Sequence, residues 1–95
     1  MAFAQRAKEK LPDSPYVMDT LGWIYFKKGL YGLAIMELTD ALAKLPENAE
    51  VAYHLGMAYF KKGETDKARA ELEKALSLNE NFIGANEARK VLAEL

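Results

Sequence analysis

A histidine and a glutamate in the middle of the chain are the first residues whose spacing suggests chemistry. His54 is the single histidine of the 95 residues, and Glu50 precedes it by four positions. On a helix such a pair lies on one face, where it would offer two ligands to a metal ion. A catalytic zinc site takes three protein ligands held by further hydrogen bonds, and the sequence offers no third one beside this pair. We therefore expect no metal site and no cofactor.

Other reactive groups are missing from the sequence. The chain has no cysteine, which removes a thiolate nucleophile, a thiolate zinc ligand and a disulfide. The sequence has no glycine-rich phosphate loop, no serine–histidine arrangement and no paired carboxylates at positions where such groups could converge. The sequence therefore predicts a protein that is not an enzyme and has no catalytic residues.

Two lysine pairs, Lys27–Lys28 and Lys61–Lys62, each precede a glycine. They would form a basic edge for an acidic segment of a ligand, or they would oppose the dipole at the C-terminal end of a helix. The second interpretation is the simpler one, because the glycine after each pair marks a helix end.

The overall charge and hydropathy exclude several classes of partner. Thirteen basic and fourteen acidic residues give a net charge of −1, so no whole-molecule field attracts nucleic acid or an anionic membrane. The apolar runs are too short to span a membrane, and the N-terminus lacks a signal-peptide core. We expect a soluble protein, either cytoplasmic or periplasmic, because the lack of cysteine does not fix the compartment.

The elements that position these residues recur with a period of 34 residues. Shifting the chain by this length places Tyr25–Gly29 on the identical run Tyr59–Gly63. The same shift aligns further residues of the two halves: Val17, Leu21–Gly22, Ala34, Glu37–Leu38 and Ala41–Leu42 fall on Val51, Leu55–Gly56, Ala68, Glu71–Leu72 and Ala75–Leu76. Such a period is typical of a repeat architecture.

Each repeat unit is predicted to form two helices. Ser14 and Asn48 precede helix starts as capping residues, and Gly29 and Gly63 follow helix ends. Pro46 closes the helix before it, since the residue before proline is pushed out of helical geometry. The pattern predicts six helices, at about 2–11, 15–28, 31–45, 49–62, 65–78 and 82–94.

This pattern resembles the tetratricopeptide repeat, a 34-residue helix-turn-helix unit. The residues that carry the resemblance are Leu-Gly followed by an aromatic in the first helix, alanine and leucine in the second, and a closing proline: Leu21, Gly22, Tyr25, Leu55, Gly56, Tyr59, Ala34, Leu38, Ala41, Ala68, Leu72, Ala75, Pro12 and Pro46. The usual tryptophan is replaced by Met18 and Ala52, and the second closing proline by Glu80. The resemblance implies an all-α fold, a right-handed superhelix of antiparallel helix pairs.

The resemblance also implies how the single domain is divided. Residues 1–13 form a partial repeat with a second helix only, 14–47 and 48–81 are full repeats, and 82–95 is a C-terminal capping helix. Asn86, Arg89 and Lys90 stand where an ordinary first helix would face its partner, which favours a cap. The chain is then the C-terminal piece of a longer array, unless residues 1–11 are a genuine N-terminal cap.

Members of this family bind ligands along the concave surface of their first helices, which implies a candidate groove. Trp23 and Met57 are its expected apolar anchors, although Trp23, Phe26 and Phe60 would equally fill space between repeats. The groove residues carried over from the family are Tyr16, Asp19, Thr20, Trp23, Phe26, Lys27, Glu50, Tyr53, His54, Met57, Phe60 and Lys61.

One subset of the family grips a C-terminal carboxylate with lysine, asparagine and arginine. The matching positions here are Asp19, Trp23, His54, Gly84 and Ala88. None has the required residue type, so the sequence disfavours a receptor for such acidic tails.

The predicted function is a protein-interaction scaffold that binds a peptide or partner segment in the groove. The alternative is a structural, self-assembling segment without a peptide ligand. The turn and second helix of the first unit are more apolar than the equivalent positions of the second unit. This contrast predicts a weak homodimer or exchange of the N-terminal helix. The contrasting residues are Leu30, Tyr31, Leu33, Ile35 and Met36 against Glu64, Thr65, Lys67, Arg69 and Ala70, with Phe3, Ala4, Ala7 and Leu11 as a second apolar edge.

Overall fold

The computed structural model describes residues 2–10 and 13–95. Within these ranges the chain forms six α-helices and no strand, as the repeat pattern predicts. The helices are α1 (Ala2–Lys10), α2 (Pro15–Lys27), α3 (Tyr31–Lys44), α4 (Ala49–Lys62), α5 (Thr65–Leu78) and α6 (Ala85–Glu94).

Most predicted helix bounds agree with the structure. Helices α4 and α5 have the predicted bounds, and α2 and α3 end one residue early. The predicted end of α1 at Leu11 and the closing Pro12 lie outside the described residues. The start of the last helix was predicted wrongly: α6 begins at Ala85 rather than Phe82, because Phe82 is buried and residues 80–84 form turns.

The helix ends are set by the expected residues. The Ser14 hydroxyl accepts a hydrogen bond from the Val17 N–H at 3.4 Å, and the Asn48 side-chain oxygen accepts one from the Val51 N–H at 3.1 Å. Each satisfies a backbone donor that the first turn of a helix leaves without an intrahelical partner. The glycines that end α2 and α4 have left-handed φ values, 79° and 89°.

Consecutive helices pack in close pairs, α2 with α3 and α4 with α5. A side chain at Gly56 would place its Cβ 2.8 Å from Leu72 Cγ, and one at Gly22 would lie 2.6 Å from Leu38 Cγ. Both leucines are fully buried, at 0% exposure. The glycine and leucine of each unit therefore form one matched contact that sets the distance between its two helices.

The first and last helices join this core from either end. The Lys8 ammonium of α1 donates to the Glu37 carboxylate of α3 at 2.6 Å. Helix α6 buries Ala85, Ala88 and Val91, and the chain has principal extents of 39 × 24 × 19 Å. None of the helices in the described ranges is long and apolar enough to cross a membrane.

Candidate functional site

A cleft opens between α2, α4 and the segment that leads into α6. Its volume is about 240 Å³. Seven side chains or backbone positions line it, and we call it the aromatic cleft: Trp23, Glu50, Tyr53, His54, Ile83, Gly84 and Glu87. The cleft thus combines residues from two first helices with three from the C-terminal segment.

A hydrogen bond between α2 and α4 fixes one side of the cleft. His54 Nδ1 lies 2.7 Å from Asp19 Oδ1, and because a carboxylate only accepts, the imidazole N–H donates. Both side chains are mostly buried, with 14% and 21% of their surface exposed. No group of three or more potential metal ligands occurs in the described part of the chain.

Aromatic rings continue from this hydrogen bond along the cleft. The Trp23 ring stacks on His54 at a centroid distance of 4.1 Å and on Phe26 at 4.4 Å. Tyr53 packs at a tilt against Trp23 at 5.8 Å and against Phe82 at 5.4 Å. Aromatic side chains lose little conformational entropy on binding a ligand, so these rings form a preordered apolar surface.

Gly84 forms the wall of the cleft against the Tyr53 ring. A Cβ at position 84 would overlap this ring, lying 2.7 Å from Tyr53 Cδ2 and Cζ. The absence of a side chain therefore lets the C-terminal segment lie directly on the tyrosine. Burial raises the pKa of Tyr53 above 10.0, and the Glu87 carboxylate raises it further.

The structure brings together a subset of the residues predicted for the groove. Asp19, Trp23, Glu50, Tyr53 and His54 meet in or directly behind the aromatic cleft. The other predicted residues, Tyr16, Thr20, Phe26, Lys27, Phe60 and Lys61, do not line it, although Lys27 Nζ lies 5.9 Å from the Trp23 ring centroid and Lys61 Nζ 5.7 Å from the Phe60 ring centroid.

Met57 does not form part of the exposed groove surface that was predicted. Its side chain is 6% exposed and belongs to the core. The 34-residue shift that aligns Met57 with Trp23 also aligns Ala88 with His54. A small, fully buried alanine on α6 thus corresponds to the imidazole on α4, and Ala88 and Met57 both belong to the buried core.

Three cleft residues, Ile83, Gly84 and Glu87, were missed by the sequence prediction. The prediction treated residues 82–94 as one regular helix, which would carry these residues away from Tyr53. A glycine directly after two large apolar residues, behind the polar run Asn79–Asn81, was the signal for a delayed helix start.

The family assignment follows from a comparison with family models. The model described as "Tetratricopeptide repeat" matches residues 25–95. The chain belongs to the tetratricopeptide repeat family. No curated protein matches the sequence.

A solved tetratricopeptide repeat domain has a similar structure. The first such domain of Spaghetti (RPAP3), solved bound to the HSP90 peptide SRMEEVD, superposes with a TM-score of 0.83. The sequences are 22% identical, and the match covers 96% of this chain and 73% of that chain. At this identity the likeness shows the fold, an all-α stack of tetratricopeptide helix pairs.

Proposed function

We propose that this tetratricopeptide repeat chain is a protein-interaction module that binds a segment of a partner protein in the aromatic cleft. The observation that carries the proposal is the partly exposed aromatic surface of Trp23, Tyr53 and His54, whose rings are already packed on one another. Ile83 at the edge of this surface is 92% exposed. Exposed apolar groups beside a preformed concavity are typical of a binding site.

The division of the chain supports this placement. We propose the repeats 14–47 and 48–81, with 1–13 as a partial repeat and 82–95 as the terminal segment that completes the cleft. Repeat proteins of this kind bind ligands on a surface that successive units form together. Trp23, Tyr53 and Ile83 come from three successive parts of that division.

A selection from a phage-displayed library of random peptides tests the proposal. Peptides selected on the wild-type protein are expected to shift the amide signals of residues 83 and 84 and the indole signal of Trp23, the single tryptophan. Trp23→Ala should weaken their binding by about tenfold or more, because central aromatic anchors dominate such interfaces.

Two further variants distinguish a loss of peptide binding from a loss of folding. Ile83→Glu changes a side chain that is 92% exposed, so it should leave the fold intact and still weaken the selected peptides. Met36→Ala, at a position 64% exposed and outside the cleft, is the matched control and should not change their affinity. Selected peptides that bind all of these proteins equally would contradict the proposal.

The peptide SRMEEVD, which the similar domain binds, is expected not to bind here. The positions that would hold its carboxylate are Asp19, Trp23, His54, Gly84 and Ala88, and the Asp19 carboxylate at the first of them would repel an anionic ligand. A titration of the labelled protein with this peptide at millimolar concentration should give no saturable shifts in the cleft. Saturable shifts there would show that acidic tails are ligands after all.

A second candidate function, self-assembly, has one observation in its favour. Leu30, Leu33 and Met36 of the first repeat are 44%, 44% and 64% exposed, and they lie outside the aromatic cleft. An interaction through this face would not exclude a ligand in the cleft.

A further inference from the structure

The lining of the aromatic cleft is acidic. Two of its lining residues are glutamates, Glu50 from the first turn of α4 and Glu87 from the first turn of α6. Of the described residues that line it, none is lysine or arginine. With a net charge of only −1 for the whole chain, this excess of negative charge is a local feature of the cleft.

Charges near the cleft affect where a cation would bind. The third nearby carboxylate, Asp19, accepts the hydrogen bond of His54 and is turned toward it. The exposed Lys27 ammonium lies 5.9 Å from the Trp23 ring centroid, so it opposes a second cation at the tryptophan. A cationic group in the cleft is therefore most stable beside Glu50 and Glu87.

The Glu87 carboxylate acts on Tyr53. The pKa of Tyr53 is raised first by burial and, to a smaller extent, by the Glu87 carboxylate. This second cause, which disfavours a phenolate at Tyr53, favours a positive group beside Glu87.

The size of the cleft limits what enters it. About 240 Å³ is less than the roughly 300–1,000 Å³ of pockets that enclose small-molecule ligands. One long side chain of a bound segment is the better match. The exposed Ile83 beside the two glutamates gives such a side chain an apolar surface for its methylene groups.

We infer that the aromatic cleft receives an arginine side chain of the partner segment, with its guanidinium between Glu50 and Glu87 and its methylene groups against Ile83 and the aromatic rings. Arginine fits better than lysine because its planar guanidinium donates in two directions, stacks on aromatic rings and is weakly hydrated. The inference names the ligand chemistry of the proposed binding site and therefore rests on the proposed function.

A pair of short blocked peptides tests the inference. One is acetyl-Gly-Leu-Arg-Leu-Gly-amide, and the other carries citrulline, the neutral isostere of arginine, at the central position. In titrations of the labelled protein at low ionic strength, the arginine peptide should shift residues 83, 84 and the Trp23 indole and bind about fivefold more tightly than the citrulline peptide. This magnitude is expected for ion pairs with two exposed carboxylates.

Charge-neutral variants identify the carboxylates responsible. The double variant Glu50→Gln with Glu87→Gln should bind both peptides equally, and each single variant should lose part of the difference. Glu73→Gln, which removes an exposed carboxylate on α5 outside the cleft, is the matched control and should keep the full preference for arginine.

The outcomes separate this inference from the proposed function. Equal binding of the two peptides, no binding of the arginine peptide, or a preference for arginine that survives in the double variant would each overturn the inference. The library selection, which does not depend on a particular side chain, then decides the proposed function separately.

Discussion

Glu37 and Glu71 occupy equivalent positions in the two repeats but have different surroundings. Glu37 accepts a hydrogen bond from Lys8 at 2.6 Å, whereas Glu71 Oε1 is buried without a hydrogen-bond partner among the described residues. The 34-residue shift explains the difference, because the residue that corresponds to Lys8 of α1 is Leu42 of α3. Burial raises the pKa of Glu71 above its ordinary value of 4.5, and Lys74 lowers it to a smaller extent.

Replacing Glu71 by glutamine should therefore change how stability depends on pH. A raised pKa means that the Glu71 carboxyl binds its proton more tightly in the folded protein than in the unfolded chain, so the contribution of Glu71 to stability falls as pH rises from 4.5 through the folded pKa. The Glu71→Gln variant has no carboxyl group at this position and should not lose stability in this way. Urea unfolding of both proteins between about pH 4 and pH 7 should show a growing advantage of the variant as pH rises.

The equivalent change in the first repeat is the control for this prediction. Glu37→Gln removes the charge that pairs with Lys8 and should destabilise the protein at neutral pH by about 0.5–1 kcal/mol, as for a partly exposed ion pair. The same sign for both variants would mean that the two glutamates have equivalent environments, contrary to the structure.

The resemblance to the family predicted only part of the candidate cleft. The groove positions that it implies include Asp19, Trp23, Glu50, Tyr53 and His54, and these residues do meet in or behind the cleft. The burial of an equivalent position, by contrast, depends on what a later helix places over it. Met57 is a core residue, and the position of α6 that corresponds to His54 of α4 is the small, buried Ala88, which no local pattern around Met57 reveals.

At the scale of helices, the close approach within each pair depends on one glycine. Gly56→Ala would place a methyl group 2.8 Å from Leu72 Cγ and 3.2 Å from the Leu72 backbone nitrogen. Since the backbone cannot move aside locally, α4 and α5 must separate. We expect a loss of about 1–3 kcal/mol in the free energy of unfolding, measured by urea denaturation followed by circular dichroism.

Gly32→Ala is the matched control for the helix pair. Gly32 also lies inside a helix, α3, but a Cβ there would meet only Lys62 Nζ at 3.7 Å. Alanine should therefore stabilise the protein by about 0.5–1 kcal/mol, because it reduces the entropy of the unfolded chain. If both substitutions stabilise the protein, the glycine–leucine contact does not limit helix approach.

The accuracy of the predicted helix bounds followed the strength of local signals. The starts of α2 and α4, which Ser14 and Asn48 cap with side-chain hydrogen bonds, were predicted correctly. The starts of α3 and α5 were also predicted correctly, without side-chain caps, because each follows a glycine that ends the helix before it. The first residue of α6 has no side-chain cap before it, and its start is set by Phe82 packing on Tyr53. A tertiary contact of this kind leaves no periodic signal in the sequence.

For the whole molecule, the exposed apolar residues of α3 and the preceding turn predict weak self-association. Leu30, Leu33 and Met36 present a surface to solvent that the second repeat replaces with Glu64, Lys67 and Ala70. Sedimentation over a wide concentration range should show a dimer at millimolar protein. Leu33→Glu should restore the monomer, because a charge there would have to be buried in the contact.

Ile83→Glu is the control for self-association. It removes an equally apolar and even more exposed side chain from the aromatic cleft, so the dimer should persist in this variant. A strictly monomeric wild-type protein at millimolar concentration would disprove the association, and a dimer that survives Leu33→Glu would place the contact elsewhere, such as at α1.

The contact of Gly84 with Tyr53 makes the cleft depend on a segment that can open without the rest of the molecule. Stacked repeats unfold in parts, and a helix held on one face opens more readily than the core. A ligand that needs this wall stabilises the closed form by mass action, slowing deuterium exchange of α6 amides by about a hundredfold at a ligand concentration of 100 Kd. Protease cleavage near residues 79–84 should slow by a similar factor. Ligand binding and the local folding of the last helix are then thermodynamically coupled.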